Sequence, residues 1–242
     1  MILLLISIEG SYGQVIVIDP GHGGEDTGAK SIHKGKTVYE KDLGLIYAKS
    51  LQEELKKNYT IYLTRSIDRR LGLLERTDIS QKVNADLFIS IHLNSSKKNG
   101  ARGIEVYYLD NHNDLAVKKV EEEENRSFLD EDPTVDKILI DIIVAKTVAK
   151  SKELGMSVYG ELKKGVIKKH KLRDRGVKAG LFYVLALAQR PSILVEIGFM
   201  SDSSELERLI LPSFQKDFAQ SLSKGLVNFF KSDKMKSDIP LL

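Results

Sequence analysis

VIVIDPGHGGEDTGA, residues Val15–Ala29, is the stretch whose reading decides the fold. Four β-branched residues run into Asp19-Pro20, the pattern of a buried strand. Pro20 has no N–H with which to continue a ladder, and Gly21, Gly23 and Gly24 admit backbone shapes that other residues resist. One histidine, His22, is thereby displayed at the mouth of a strand, where α/β proteins assemble their sites.

Working outward, Tyr59–Thr64 alternates as a second strand, Asp86–Ile91 reads as a buried third that stops at His92, and Gly103–Tyr108 as a fourth. Ser192–Ile197 is the last core strand and carries Glu196 near its end. Between them, Leu43, Ile46, Tyr47, Leu51 and Leu55 recur at helical spacing, and Leu71–Val83, which contains Arg76, is a shorter amphipathic segment. Val135–Leu154 predicts a helix that Gly155 would end. Leu206 to Phe229 outlines a closing helical region interrupted near Pro212. Strands alternating with helices predict an α/β protein: a mainly parallel twisted sheet with helices on both faces, in a single domain. No internal repeat is present.

The bulk numbers limit the chemistry. The 242 residues suffice for one large core, and 42% apolar with 29% charged residues is ordinary globular composition. A net charge of +3 does not itself imply a nucleic-acid partner. The basic run Lys163–Lys178 lacks interleaved aromatics, so it reads as a solvated or anion-facing surface. With no cysteine, disulfides, thiol catalysis and Cys-type zinc sites are excluded, and any metal must use His, Asp or Glu. No window reaches the roughly 18 apolar residues of a membrane span.

Met1–Ile8 (MILLLISI) followed by Glu9-Gly-Ser-Tyr-Gly resembles a short secretory leader without its basic start; the other reading is a first buried strand. The expected layout is a signal-peptide remnant over 1–13, the main domain over 14–231, and a flexible tail over 232–242. From Leu109 to Thr134 the pattern fails in an acidic stretch that includes Glu121–Glu124. It is too long for an ordinary connection and reads as an insertion, a lid or a solvated acidic segment.

His22, Glu40 and His92 form a candidate metal set, since two imidazoles and a carboxylate leave a fourth position for water on zinc. Each has a plainer alternative. Glu40, beside Lys41 and Asp42, would suit a helix N-terminus, and His92 would serve as a hydrogen-bonded structural residue. Glu196 lies in SILVEIG, where a carboxylate needs a partner or a task. It would act as general base, or else pair with a buried arginine such as Arg76 or Arg175. His33, His112 and His170 receive no role.

The blocks DPGHGGEDTGA (Asp19–Ala29), YEKDLGL (Tyr39–Leu45), LTRSID (Leu63–Asp68), ADLFISIHLNSS (Ala85–Ser96), RGIEVYYL (Arg102–Leu109), RGVKAGLFYVL (Arg175–Leu185) and PSILVEIGFMSD (Pro191–Asp202) follow one another in order. In them the sequence resembles the zinc-dependent N-acetylmuramoyl-L-alanine amidases of the division-amidase (amidase type 3) family, over roughly Val15–Phe230. The resemblance implies Zn2+ held by His22, Glu40 and His92, and Glu196 as the catalytic glutamate. It implies hydrolysis of the amide between N-acetylmuramic acid and the L-alanine of the stem peptide in peptidoglycan. It further implies an exported, periplasmic or cell-wall-associated protein acting in wall turnover and daughter-cell separation. The acidic insertion, about 110–141, is expected to be regulatory, with one carboxylate able to occupy the open zinc position until an activator protein binds. The partners expected are thus peptidoglycan and an activator, with no nucleic acid and no membrane span, for a monomer. The other readings are a zinc exopeptidase-like enzyme on free peptides and a non-catalytic wall-binding protein.

Overall fold

The computed structural model describes residues 13–97, 100–126 and 137–237. Its centre is a six-stranded sheet with the order β4-β1-β5-β8-β6-β7. These strands are β1 (Val15–Pro20), β4 (Thr60–Leu63), β5 (Leu87–Asn94), β6 (Ile104–Leu109), β7 (Asp174–Gly180) and β8 (Ser192–Phe199). Neighbours are parallel except β6 and β8, which run antiparallel. A separate antiparallel hairpin, β2 (Lys30–His33) with β3 (Lys36–Tyr39), occupies the polar stretch between His22 and Glu40.

Helices cover both faces, as a mainly parallel sheet requires. On one face lie α1 (Glu40–Leu55), α4 (Lys137–Leu162) and α8 (Pro212–Ser237). Their apolar stripes, Leu43, Tyr47, Leu51 and Leu55 from α1 and Phe218, Leu222 and Leu226 from α8, bury Ile16, Ile18, Ile89, Ile91, Ile193 and Val195. On the other face α2 (Leu73–Lys82), α6 (Tyr183–Ala188) and α3 (Leu115–Glu124) cover Val17, Phe88, Tyr107, Leu109 and Leu194. Fully burying one such side chain contributes about 1.5–3 kcal/mol, so these two layers fix the sheet on which the site stands. The short α7 (Ser203–Leu209) starts at Asp202, whose carboxylate accepts the N–H groups of Ser204 and Glu205.

Several sequence expectations shift. The third strand does not stop at His92; it runs to Asn94 because β8 pairs with it past that point. Gly155 does not end the long helix. It lies inside α4, against Val106, Val177 and Ile193, where the missing side chain lets helix and sheet approach closely. The helix continues through a π-helical turn (Lys163–Ile167) into α5 (Lys168–His170) and ends at Lys171, with φ of 53°. The basic run is therefore split between a helix end and the edge strand β7. The expected flexible tail is helical as far as Ser237. The expected leader up to Tyr12, residues 127–136 of the acidic insertion and residues 238–242 lie outside the described residues.

Candidate active site

The second face of the sheet changes character along its length. Val17, Phe88, Leu194 and Tyr107 are apolar core at one end. Two residues further along β1, β5 and β8 stand Asp19, Ser90 and Glu196, and β6 contributes Glu105. Register places Asp19 beside Ser90, His92 beside Glu196, and Glu196 beside Glu105. A row of ionisable groups thus lies across the carboxyl ends of β1, β5 and β8, the rim where α/β sheets bind ligands.

His22 reaches this row from the turn after β1. Its own φ is 55°, and Gly23 follows at 133°, so the chain reverses sharply. Gly21 must be glycine for another reason: a Cβ there would collide with the ring of His92. Two buried guanidiniums hold the turn. Arg65 donates to the carbonyls of Pro20 (3.0 Å) and Gly21 (2.7 Å), and Arg76 donates to those of Pro20 (2.9 Å) and His22 (2.7 Å). Arg76 also pairs with Asp19 at 2.8 Å, and Asp19 accepts the hydroxyls of Thr64 and Ser90. Asp26 Oδ2 lies 2.9 Å from His22 Nδ1, which leaves Nε2 to face the row.

Glu40 is the first residue of α1 and is buried. Its Oε2 accepts the Ala29 N–H at 2.8 Å and its Oε1 accepts the Leu93 N–H at 3.0 Å. Oε1 also lies 3.2 Å from His22 Nε2 and 3.1 Å from His92 Nδ1. Glu124, from the last turn of α3, brings its Oε2 within 2.8 Å of His92 Nδ1 and 3.6 Å of His22 Nε2. One donor atom from each of His22, Glu40, His92 and Glu124 lies within 4.8 Å of all the others. His22 Nε2 is buried yet makes no acceptable hydrogen bond. An orphaned imidazole nitrogen facing another imidazole and two carboxylates fits a bound metal ion, whose charge would satisfy all four.

The charges are strongly coupled. Burial alone would pull His22 down, but the Glu40 and then Glu124 carboxylates raise it well above its ordinary value. His92 is likewise opposed by burial, yet raised to about 10 by Glu124 and Glu40. Glu40 moves far the other way: burial would raise it, and His22 followed by His92 lower it. Glu196 differs from all of these. It is fully buried, and neither carboxylate oxygen has a hydrogen-bond partner. Burial first, and then the Glu124 carboxylate, push it well above the usual carboxylate range.

The structure therefore brings His22, Glu40, His92 and Glu196 together. It removes the alternative that Glu196 pairs with a buried arginine, because Arg76 goes to Asp19 and Arg175 to Glu105. His112 and His170 have local partners in Glu121 and Asp217. Glu124 and Glu105 are the residues that sequence reasoning did not single out. Glu105 had a signal, since a carboxylate inside GIEVYY is as anomalous as Glu196 inside SILVEIG. Glu124 had only its place in a run of four glutamates.

α3 is fastened over the site at several points. Asp114 caps it by accepting the N–H groups of Ala116 and Val117. Glu121 accepts the Leu181 N–H and faces His112 Nε2, each at 2.5 Å. Asn125 donates to the Leu181 carbonyl and accepts the Tyr183 N–H, both at 2.8 Å.

Comparison with known proteins places the chain among peptidoglycan amidases. AmiA, an N-acetylmuramoyl-L-alanine amidase of Escherichia coli K12, is 33% identical over 228 residues, covering 90% of this chain and 76% of AmiA. AmiC of Escherichia coli O6:H1, another such amidase, is 34% identical over 226 residues, and the chain spans 52% of its length. The crystal structure of N-acetylmuramoyl-L-alanine amidase from Clostridium difficile 630 superposes with a TM-score of 0.70 at 30% identity, covering 92% of this chain and 99% of that one. The profile of the Amidase_3 family, described as N-acetylmuramoyl-L-alanine amidase, matches residues 16–228, and the chain belongs to that family.

Proposed function

We propose that this chain is a zinc-dependent N-acetylmuramoyl-L-alanine amidase, with His22, Glu40 and His92 as the metal ligands and Glu196 as the catalytic acid–base. The observation that carries the reading is Glu196: a fully buried carboxylate with two unpartnered oxygens, in register with His92. A bound Zn2+ would supply Lewis acidity, lowering the pKa of water and polarising the scissile carbonyl. Among N/O-donor metals, two imidazoles and a carboxylate suit zinc.

The chain's own residues do the remaining work. Arg65 and Arg76 hold the turn so that His22 Nε2 points inward, and Asp26 fixes the ring through Nδ1. The N–H groups of Ala29 and Leu93 orient both oxygens of Glu40. Glu196, with no hydrogen bond stabilising its charge, has the high proton affinity a general base needs. One of its oxygens takes a proton from the attacking water as that water's oxygen joins the lactyl carbonyl carbon. The same proton passes to the alanine nitrogen as the C–N bond breaks, giving a lactyl carboxylic acid and an amine, and the water's second proton then leaves the acid for the amine, so that a carboxylate and an ammonium are released. Glu196→Gln should retain metal and lose release of stem peptides from sacculi by at least about 100-fold. Activity equal to the parent would sink Glu196 as the base.

In the described arrangement Glu124 takes the fourth place beside the three ligands, so we also read α3 as a regulatory strap. A carboxylate on the metal excludes the reactive water. An activator that draws α3 away would open the site, and Glu124→Ala should raise basal hydrolysis. A well-folded Glu124→Ala chain with unchanged activity would remove this part of the proposal. The apolar Met1–Ile8 leader supports export to the wall compartment, where peptidoglycan lies and where a role in cell separation would be exercised. Among the described residues no helix is long and apolar enough to cross a membrane.

A further inference from the structure

Beside Glu196, on the same face of the sheet, stands Glu105. The two carboxylates are direct register partners, so their Cβ atoms are roughly 5 Å apart. Their surroundings are opposite. Glu196 accepts nothing. Glu105 accepts from Arg175 Nε and Lys178 Nζ at its Oε1, each at 2.6 Å, and from Tyr107 Oη and Asn94 Nδ2 at its Oε2, at 2.8 and 3.3 Å.

One carboxylate needs one cation. Here two cations meet on a single oxygen, and the group of three carries a net charge of +1. The Arg175 guanidinium also lies over the Phe199 ring, 5.0 Å from its centroid. Only its Nε is used: among the described residues no acceptor reaches its two terminal nitrogens. The side chains of Arg175 and Lys178 are 22% and 23% exposed, so both remain open to a ligand while rooted in the core. This is a fixed, partly desolvated positive site next to the proposed acid–base, and nothing in the chemistry of amide cleavage requires it.

We propose that Arg175 and Lys178, positioned by Glu105, form a carboxylate-recognition subsite for the stem peptide on the amine side of the scissile bond. The inference rests on the amidase reading above. β7 lies two strands from β8, about 10 Å away at the usual inter-strand spacing. A peptide advances about 3.5 Å per residue, so a carboxylate on the second stem residue stands roughly 7 Å beyond the scissile nitrogen. Both cation heads turn back toward Glu105, which closes the difference. The ligand is thus a free carboxylate on the residue that follows L-alanine. The amidated form of that residue offers a neutral carboxamide instead. Arg175 and Lys178 would set specificity, and Glu105 is a positioning residue.

The test is a charge-exchange cycle on the full chain carrying Glu124→Ala, so that α3 does not limit access. Two muramoyl-peptides are compared, identical except for a free carboxylate or a carboxamide at the second stem residue. The parent should favour the carboxylate by about tenfold in kcat/KM, the scale of one charge-assisted hydrogen bond, expressed in KM with kcat little changed. Arg175→Gln and Lys178→Gln should each reduce that preference, and Lys178→Arg should restore it. A parent that cleaves both substrates equally would overturn the subsite, as would glutamine variants that lose the same factor on both. If a glutamine variant does not fold, the parent's preference and the Lys178→Arg variant still decide. Cleavage of neither substrate by the parent would instead indict the amidase reading.

Discussion

Arg76→Met tests the frame that presents His22. Arg76 and Asp19 are both buried, and the guanidinium makes four hydrogen bonds: to Asp19 Oδ1 and to the carbonyls of Leu71, Pro20 and His22. Methionine keeps much of the aliphatic volume, so the loss is electrostatic rather than a large cavity. Removing one partner of a buried pair leaves the other charge uncompensated and costs about 3–5 kcal/mol. At about 2–4 °C per kcal/mol for a chain of this size, the melting temperature should fall by roughly 6–20 °C. Burial alone would raise the Asp19 pKa; Arg76, followed by Thr64, holds it below its ordinary 3.8. In the parent, this group's contribution is therefore present above pH 3.8 and is lost as pH falls through the lower folded pKa. In Arg76→Met burial is opposed only by the Thr64 and Ser90 hydroxyls and by the charges of His92 and Arg65, so with its paired guanidinium gone the folded pKa should rise above the unfolded one. Its contribution is then present at low pH and lost on raising pH. The gap between the two proteins should consequently narrow below about pH 4. Urea titrations at pH 7, 5 and 3.5 measure this directly. A loss under about 1 kcal/mol at pH 7, or a gap that does not change with pH, would refute the assignment of Arg76 as the counter-charge.

Three further outcomes follow from the same geometry. In the metal-free protein His22 and His92 hold protons between carboxylates, His92 up to about 10, so metal must displace them. Zinc affinity, measured by chelator competition, should rise with pH between about 6 and 9, and a flat profile would contradict the ligand assignment. Gly21→Ala sets a methyl against the His92 ring and should weaken metal affinity by about 10–100-fold while the fold persists; unchanged zinc content after dialysis would count against it. Asn125→Ala removes both hydrogen bonds to the Leu181–Tyr183 segment, so the amides of α3 should exchange hydrogen faster than in the parent, and unchanged protection would show that α3 is held elsewhere.

The strands could be read because they obey simple rules. VIVI, DLFISI and SILVEI are apolar runs bounded by turn residues, and a sheet covered on both faces demands them. The position of His22 just past a strand, the histidine that follows the apolar run DLFISI and the misfit carboxylate in SILVEIG made the candidate site legible as well. β7 was not legible, since DRGVKAG has no alternation; it is an edge strand whose Arg175 and Lys178 serve Glu105 and whose Val177 alone packs toward α4 and the core. The course of α4 past Gly155 was hidden too, because a glycine that ends a helix and one that admits a sheet look alike in sequence. Glu124 depended on tertiary placement: four consecutive glutamates differ only in which way the turn of α3 points them.

The hairpin between His22 and Glu40 has an evolutionary consequence. Its base is closed by the Glu40 N–H to the Ala29 carbonyl and by the Ala29 N–H to Glu40 Oε2, independently of anything at its tip. Lengthening a loop beyond a closed base is inexpensive, about 0.6 kcal/mol for each doubling. The hairpin's tip, Ile32–Thr37, can therefore be extended or recharged without moving either end of the proposed coordination shell. The hairpin tip is thus free to diversify among relatives while the residues it joins stay in place.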